Sequence, residues 1–389
     1  MTTFRYAMLN NIAQDGLERL GENFVEVKDA HEAEGILVRS AKMHDMDFSD
    51  NLLAVARAGA GVNNIPVKDL AEKGIVVFNT PGANSNAVKE LVIAVLILAS
   101  RNIIDGINWV RAHMDNPDIA AQVEKEKKQF AGTEIKGKKL GVIGLGAIGA
   151  KVSKAAVSLG MDVFGFDPFI DAEKALKINK KMNYLTDLDE IYRNCDYITI
   201  HVPAMESTKG YIDADAVREM KDGVVILNMA RDVLIDENAV LEALDEGKVR
   251  YYVSDFPNAT VAGHKNCITI PHLGASTEEA EKNCAVMACN ELKDYLENGN
   301  ITNSVNFPNV DAGKCIYDTR VLILHKNIPG MIKKLSHIIG DEGINVAEMT
   351  NRSRNGYAVT ILDLDSGISE ESRETLASIE GVYKIRVIK

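Results

Sequence analysis

The chain is poor in cysteine, tryptophan and positive charge. Its 389 residues include five cysteines, one tryptophan and 44 basic residues against 56 acidic ones, a net charge of −12. The cysteines form no CxxC pair and no zinc-like spacing with histidine, so we expect neither a disulfide framework nor a metal site. The acidic balance argues against nucleic acid and anionic membranes as partners, because both are bound through basic patches.

A long hydrophobic run is also missing. The most apolar stretch, residues 91–99, is too short to cross a bilayer and predicts a helix buried in a core or at a subunit interface. The N-terminus does not have the charged segment followed by an apolar one that marks a secretory signal. We therefore expect a cytoplasmic protein without a membrane segment.

The length predicts two or three domains, since one compact core rarely holds 389 residues. Short strand-like runs at 35–38, 54–58 and 75–78 alternate with helical patterns, as in a small parallel α/β domain. From about residue 138 to 271, near-continuous apolar strands alternate with helices, which is typical of a parallel sheet buried on both faces.

The C-terminal third has a different pattern. Residues 276–298 predict one long helix, and the polar stretch 303–318 predicts a linker. Residues 319–389 then follow the order strand, helix, strand, strand, helix, strand, which predicts a ferredoxin-like βαββαβ unit.

A glycine-rich loop carries the firmest functional signal. Gly144, Gly146 and Gly149 form GLGAIG between a predicted strand and a predicted helix, and the next strand ends in Asp167. In a dinucleotide-binding βαβ unit such glycines allow a tight turn, close approach of the pyrophosphate and close helix packing, while the acid binds the ribose hydroxyls. A carboxylate there repels a 2′-phosphate, so the sequence predicts NAD rather than NADP as cofactor.

Two residues at predicted strand ends fit the oxidation of a hydroxy acid. His272 is suited to take a hydroxyl proton near neutral pH, and the fork of Arg231 is suited to bind a carboxylate. Carboxyl ends of strands are where open α/β sheets bind ligands. His201 also ends a strand, and we interpret it as structural or cofactor-adjacent. Two Gly/Asn-rich loops, 57–64 and 79–85, fit either ligand-facing backbone amides or ordinary turns.

Several separate motifs together resemble those of the D-isomer-specific 2-hydroxyacid dehydrogenases. They are GLGAIG with Asp167, an HVP turn after a strand, an N-x-A-R strand end and the PHLGAST segment. The resemblance covers essentially the whole chain and is strongest to members that oxidise 3-phosphoglycerate in the first step of serine biosynthesis. It implies a Rossmann-like parallel-sheet cofactor domain (99–275) inserted in a smaller α/β substrate domain (1–98 and 276–302).

The resemblance also implies roles for individual residues. Arg231 would bind the substrate carboxylate, and His272 would be the catalytic acid/base. The residues implied for NAD are Thr80, Gly144, Gly146, Ala147, Ile148, Gly149, Asp167, Val202, Pro203, Met229, Ala230, Asp255, Leu273, Gly274 and Ala275. Asp255 would meet the nicotinamide amide. The residues implied for the substrate and its phosphate are Arg39, Ser40, Asn63 and Asn84.

The sequence departs from the family pattern at two places. The catalytic strand usually continues as Ala-Arg-Gly, whereas here Asp232 follows Arg231. The family also has a glutamate, a few residues after the position of Asp255, that pairs with the catalytic histidine and raises its pKa. No glutamate occurs between Gly247 and Thr277. Either another acid takes this role or the enzyme works with a less basic histidine.

The tail (319–389) resembles the ACT domain, a ligand-sensing module of amino-acid metabolism. HKNIPG and GINV carry that resemblance, and they supply His325, Asn327 and Asn345 as implied ligands of an L-serine effector. The alternative is a purely dimerising unit. Such a tail, together with the apolar stretch 91–99, predicts a homo-oligomer, either a dimer or a tetramer.

Three functional hypotheses follow. The leading one is NAD-dependent oxidation of 3-phosphoglycerate with possible serine feedback. The second keeps the chemistry with another D-2-hydroxy acid, such as glycerate, lactate or 2-hydroxyglutarate. The third is a non-catalytic NAD-sensing scaffold, favoured by the missing glutamate and opposed by the presence of both Arg231 and His272.

Overall fold

A computed structural model describes residues 2–389 and divides the chain into two compact units. Unit 1 combines the residues up to Asn84 with Glu278–Lys389, and unit 2 is Ser85–Thr277. The first boundary thus precedes the helix that carries the apolar stretch, whereas the sequence places a domain boundary after residue 98. Within residues 2–389, no helix combines the length and the apolar character needed to cross a membrane.

The N-terminal part of unit 1 is a five-stranded parallel sheet in the order β2-β1-β3-β4-β5. Its elements are β1 (Phe4–Met8), α1 (Gln14–Leu17), β2 (Phe24–Glu26), β3 (Gly35–Val38), β4 (Ala54–Arg57), α2 (Val67–Glu72) and β5 (Val76–Phe78). The predicted strands β3, β4 and β5 are present. The sequence patterns missed β1 and β2.

Unit 2 is a seven-stranded parallel sheet in the order β12-β11-β10-β9-β6-β7-β8. Its strands are β6 (Lys139–Ile143), β7 (Asp162–Phe166), β8 (Asn183–Leu185), β9 (Tyr197–Ile200), β10 (Val224–Asn228), β11 (Val249–Ser254) and β12 (Cys267–Thr269). The strand order reverses between β6 and β9, and ligands of such sheets bind at the carboxyl ends beside this point. The predicted Rossmann-like sheet is confirmed.

Helices surround the strands of unit 2. They are α3 (Ser85–Arg101), α4 (Ile103–Ala112), α5 (Ile119–Glu126), α6 (Ala147–Ser158), α7 (Ala172–Ile178), α8 (Asp189–Asn194), α9 (Ala214–Glu219) and α10 (Glu237–Asp245). Helix α3 contains the apolar stretch 91–99. Val92, Leu96 and Ala99 are buried in the same hydrophobic core as Leu140 and Val142 of the central strand β6, so this stretch lies in a core as expected.

The C-terminal part of unit 1 begins with the predicted long helix, α11 (Glu278–Asn298). The tail contains β13 (Thr319–Lys326), α12 (Met331–Asp341), β14 (Val346–Arg354), β15 (Tyr357–Leu364), α13 (Glu370–Ala377) and β16 (Val382–Ile388). The sheet is antiparallel in the order β14-β15-β13-β16. The predicted βαββαβ order is confirmed.

The segment between α11 and the tail is packed rather than free. Phe307 is fully buried, and Asn306 accepts a hydrogen bond from the Val77 amide (3.0 Å) and donates one to the Ile75 carbonyl (2.8 Å). Its side-chain amide thereby pairs with the backbone around β5 as a neighbouring strand would. The predicted linker is therefore wrong for this part of the segment. Its polar composition suggested an exposed linker, but the polar side chains are buried because they hydrogen-bond the backbone.

Two arginines of the tail bind the carboxyl end of α11. Arg320, fully buried and paired with Asp363, donates to the carbonyl of Asn298 (2.9 Å). Arg386 donates to the carbonyls of Tyr295 and Leu296, both at 2.9 Å. The last carbonyls of a helix lack intrahelical partners and carry the negative end of its dipole. The tail therefore caps α11 and shares a hydrophobic core with the N-terminal sheet.

Candidate functional site

The glycine loop of unit 2 has the backbone that its sequence predicts. Gly144 has φ +90°, and a Cβ on Gly149 would lie 1.9 Å from the Gly144 carbonyl oxygen. A Cβ on Gly146, in contrast, would meet no described atom within 4 Å. Packing therefore requires glycine at positions 144 and 149, whereas the space beside Gly146 is left open for a ligand.

Helix α6 starts directly after this loop, and its first amides have no partner within the helix. Its first intrahelical bond runs from the Ala150 amide to the Gly146 carbonyl (3.0 Å), so the amides of Ala147, Ile148 and Gly149 precede the hydrogen-bonded turn. Such amides and the helix dipole bind phosphate groups. Asp167 follows β7, and its carboxylate accepts a hydrogen bond from Leu145 in the loop (2.9 Å). Loop, helix and acid thus fit the pyrophosphate and ribose of a dinucleotide.

The other residues predicted to line the cofactor in unit 2 follow the carboxyl ends of neighbouring strands. Val202 and Pro203 follow β9, Met229 and Ala230 follow β10, and Leu273, Gly274 and Ala275 follow β12. In a parallel sheet these ends lie at one edge, which is the edge that holds the glycine loop. His201 lies there too, 3.0 Å from the Thr199 hydroxyl. Burial lowers the pKa of His201 to about 3, so the ring is neutral near pH 7.

Arg231 lies in a turn that a buried asparagine organises. Asn228, the last residue of β10, accepts from the amides of Ala230 (3.1 Å) and Arg231 (3.2 Å) and donates to the Arg231 carbonyl (2.8 Å). These bonds fix the backbone on both sides of the arginine. Burial lowers the pKa of Arg231, whereas the charges of Asp232 and Asp255 oppose that shift. The side chain remains a cation, as arginine does in proteins.

His272 has an unusual backbone. Its φ is +54°, a left-handed conformation that is uncommon for residues other than glycine. The amides of His272, Leu273 and Gly274 all bind Asp255: the first reaches its carbonyl at 3.0 Å, and the other two reach its carboxylate at 2.7 and 2.8 Å. Strained backbone held in this way is found preferentially at functional sites. The structure thus strengthens the case for His272 on grounds that the sequence did not offer.

Asp255 is buried next to both candidate catalytic residues. Burial raises its pKa, and the two amide hydrogen bonds and the charges of His272 and Arg231 oppose that rise. Both of its oxygens already accept backbone hydrogen bonds. Asp255 therefore orients the peptide that carries His272.

Sequence reasoning missed Phe256. Its ring centroid lies 4.8 Å from that of His272, and the Arg231 guanidinium carbon lies 5.3 Å from the same centroid. Phe256 directly follows Asp255, but an isolated phenylalanine gives no sequence signal for such a contact. The aromatic ring connects the two candidate catalytic side chains.

Unit 1 places its predicted substrate residues at strand ends of the smaller sheet. Arg39 follows β3 and pairs with Glu281 of α11 (2.5 Å). Ser40 is exposed beside it, and Asn63 and Asn84 lie in the loops after β4 and β5. Arg57 was not selected from the sequence; it ends β4, and its Nε donates to the Arg39 carbonyl (3.0 Å). Unit 1 therefore brings two arginines together.

Thr80, the one predicted cofactor residue in unit 1, is fully buried. Its amide donates to the Gly59 carbonyl (3.1 Å), and the preceding Asn79 donates to the Ala60 carbonyl (2.5 Å). These bonds join the two Gly/Asn-rich loops, 57–64 and 79–85, into one structure. The two loops are therefore held together by hydrogen bonds and are not two independent turns.

The sequence of this chain is similar to those of known dehydrogenases over most of its length. Residues 93–274 match the family model described as the NAD binding domain of D-isomer specific 2-hydroxyacid dehydrogenases. The chain is 30% identical over 377 residues to a D-3-phosphoglycerate dehydrogenase of Haemophilus influenzae, covering 93% of this chain and 87% of that relative. This chain belongs to the D-isomer specific 2-hydroxyacid dehydrogenase family. NAD is its cofactor.

Two further comparisons support the assignment. A D-3-phosphoglycerate dehydrogenase of Methanocaldococcus jannaschii is 37% identical over 298 residues, which cover 73% of this chain and 53% of that relative. The chain thus spans about half the length of that protein and most of the Haemophilus one. The crystal structure of NAD-bound 3-phosphoglycerate dehydrogenase from Entamoeba histolytica matches 78% of this chain and 99% of its own, with TM-score 0.63 and 26% identity.

The cofactor preference of the dehydrogenase is testable at Asp167. We expect Asp167→Ser to lower the ratio of kcat/KM with NAD to kcat/KM with NADP by roughly tenfold or more, because the substitution removes repulsion of a 2′-phosphate. Asp167→Asn is the matched control, since it removes the charge and can still accept from Leu145. An unchanged NAD/NADP ratio in both variants would contradict the assigned role.

Glu291 is a buried carboxyl group linked to the loops of unit 1. One of its oxygens accepts from Asn303 (2.7 Å), and the other has no hydrogen-bond partner among residues 2–389. Asn303 in turn accepts from the amide of Asn79. Burial raises the pKa of Glu291 from 4.5 to about 8. The folded protein therefore holds this carboxyl neutral at pH 7, while the unfolded chain ionises it.

We expect Glu291→Gln to stabilise the dehydrogenase increasingly as pH rises from about 4.5 to about 8. The native state retains a proton that the unfolded state has lost in this window, so the unfolding free energy of the wild type falls with pH. The advantage of the variant should reach about 4 to 5 kcal/mol at pH 8.5, because the pKa differs by about 3.5 between the folded and unfolded states and each pH unit corresponds to about 1.4 kcal/mol. Thermal unfolding at several pH values measures it, with exposed Glu279→Gln as control. A pH-independent difference would refute the account.

The three predicted effector residues are not gathered in one place. His325 is buried, with Nδ1 2.8 Å from the Lys326 carbonyl and Nε2 2.8 Å from the Thr360 hydroxyl. Asn327 follows β13, whereas Asn345 precedes β14, and both are exposed. The strand register puts Asn327 beside Gly356 and Asn345 beside Asp365, at opposite ends of β15 and roughly 30 Å apart at about 3.3 Å of rise per residue. A single tail therefore cannot place both amides on one small ligand.

Proposed function

We propose that this dehydrogenase oxidises 3-phospho-D-glycerate to 3-phosphohydroxypyruvate with NAD, the first step of L-serine biosynthesis. The observation that carries the proposal is the grouping of Arg231 and His272, both in contact with Phe256, at the sheet edge that holds the glycine loop. The names of the curated relatives from Haemophilus and Methanocaldococcus support the choice of substrate.

The roles of the residues follow from their chemistry. Arg231 binds the substrate carboxylate through two parallel N–H donors and so orients the carbon that bears the hydroxyl group. His272 takes the hydroxyl proton as that carbon becomes a carbonyl. NAD supplies the acceptor for the hydride that leaves the same carbon. Asp255 and Asn228 hold the backbone of these two catalytic residues in place.

We assign Arg39 and Arg57 of unit 1 to the substrate phosphate, with Ser40, Asn63 and Asn84 as neighbouring donors. Guanidinium groups bind phosphate oxygens in pairs of parallel hydrogen bonds. Arg39 forms an ion pair with Glu281, so phosphate binding would exchange this carboxylate for a phosphate as the anionic partner of Arg39.

We also propose that the protein is a homo-oligomer and that L-serine binds between two tails. Helix α4 supports the first point because Ile103, Ile107 and Val110 are 38%, 45% and 48% exposed and border a cleft of about 500 Å³ with Trp109. The separated, exposed Asn327 and Asn345 support the second. One serine can contact both amides only if two chains contribute them.

One assay tests the proposed activity. Purified protein is mixed with NAD and each of 3-phosphoglycerate, D-glycerate, D-lactate and D-2-hydroxyglutarate, and NADH absorbance is followed with and without serine. We expect the highest kcat/KM with 3-phosphoglycerate. A higher kcat/KM with an unphosphorylated acid would identify that acid as the substrate instead. No turnover with any acid would favour the NAD-sensing scaffold. Light scattering of the same sample gives the oligomeric state.

A further inference from the structure

The ring of Phe256 contacts both Arg231 and His272. The guanidinium carbon lies 5.3 Å from the ring centroid, within the range of a cation–π contact. The His272 ring lies 4.8 Å away at an interplanar angle of 53°, which is a favourable tilted arrangement. His272 itself is exposed, so few side chains pack around its ring.

No carboxylate among residues 2–389 forms an ion pair with His272. Across residues 2–389 the ion pairs that involve histidine are those of His264 and His337, and neither includes His272. Asp255 is near, and its two carboxylate oxygens accept from the amides of Leu273 and Gly274, so the hydrogen bonds that the structure shows for this carboxylate go to the backbone. Among residues 2–389 the imidazole thus contacts an aromatic ring and forms no ion pair with an acid.

The loop that carries Phe256 is itself fixed by a polar network. The Phe256 amide donates to the Ser254 hydroxyl (3.1 Å), which sets the start of the loop. Two residues later, Asn258 donates to Glu237 of α10 (2.7 Å). Glu237 also accepts from the buried Tyr252 hydroxyl (3.2 Å), which lies 3.3 Å from the Asn228 amide group.

This network connects the loop to the Arg231 turn. Asn228 holds the backbone on both sides of Arg231, and Glu237 links it through Tyr252 to Asn258. A glutamate is therefore present near the catalytic loop, but on α10, where it orients the loop. The ring of Phe256 is thus presented to both catalytic side chains from a fixed backbone.

We propose that Phe256 is a positioning residue that replaces the missing carboxylate partner of His272 and also aligns Arg231; this rests on the proposed dehydrogenase function. The ring limits rotation of the imidazole. Its negative face attracts the guanidinium, and it also attracts the imidazolium that forms when His272 takes the hydroxyl proton. Both effects need an aromatic side chain, and a leucine of similar bulk supplies neither.

The test compares Phe256→Leu with Phe256→Tyr, with 3-phosphoglycerate or whichever hydroxy acid the wild type oxidises best. We expect the leucine variant to raise the KM of the acid roughly 3- to 30-fold and to lower kcat several-fold, because it loses the cation–π contact. The KM of NAD should change less than about twofold. The tyrosine variant should stay close to wild type in all three constants, since it keeps the ring.

Thermal unfolding accompanies the kinetics, because a purely structural role would lower stability without separating the two KM values. Should the leucine variant fail to fold, Glu237→Gln loosens the same loop from a distance and should shift the KM of the acid in the same direction by a smaller factor. A leucine variant with wild-type constants, or leucine and tyrosine variants that are equally impaired, would overturn the role of Phe256 alone. A wild type inactive on every acid would overturn the proposed function and, with it, this inference.

Discussion

Replacing His272 with asparagine is expected to lower kcat by roughly 10²- to 10⁴-fold, which is the usual contribution of a general acid/base. Asparagine is the appropriate substitution because residue 272 has φ +54°, and asparagine tolerates left-handed backbone better than other non-glycine residues. The amides of residues 272–274 can then keep their bonds to Asp255. Only the titratable ring is lost.

NAD binding should survive this substitution. The glycine loop and Asp167 are built from other strands, so the affinity for NAD, measured by fluorescence titration, should remain within about twofold. His272→Ala is a useful second variant. It should lose as much kcat, and it should also be less stable, because alanine is strained at positive φ. A kcat near the wild-type value in either variant would refute the role of His272.

Replacing Arg231 with alanine is expected to lower kcat/KM for the hydroxy acid by roughly 10²- to 10³-fold. The loss corresponds to two charge-assisted hydrogen bonds between guanidinium and carboxylate. Because these bonds also orient the reacting carbon, kcat should fall along with substrate affinity. Steady-state kinetics with varied acid at saturating NAD measure both constants.

Arg231→Lys separates charge from geometry. Lysine keeps the cation and loses the planar fork, so we expect activity between those of wild type and the alanine variant. The backbone bonds of Asn228 to this turn do not depend on the side chain of residue 231, so both variants should fold. Normal KM and normal kcat in the alanine variant would exclude Arg231 from substrate binding.

Features that depend on spacing along the chain were predictable. The glycine loop was found because Gly144, Gly146, Gly149 and Asp167 stand at fixed distances around one strand and one helix. The tail was found because its apolar runs alternate in the βαββαβ order. In both cases local patterns determine the structure, so the sequence alone was informative.

Features that depend on contacts between distant segments were not predictable. The polar segment around Asn306 is buried because it binds the backbone of β5, about 230 residues earlier. His325 matches an effector motif, yet Thr360 and the backbone occupy its ring nitrogens. Neither the positive φ of His272 nor its contact with Phe256 leaves a pattern in composition or periodicity.

Transfer of deuterium is the most direct test of the central claim. Purified protein is incubated with NAD and 3-phospho-D-glycerate that carries deuterium at C2, and the reduced cofactor is analysed by mass spectrometry. Hydride transfer from that carbon predicts NADH heavier by one mass unit, together with 3-phosphohydroxypyruvate in equal amount. Unlabelled NADH, or no reduced cofactor while D-glycerate or D-lactate is oxidised readily, would contradict the claim that this chain is a 3-phosphoglycerate dehydrogenase.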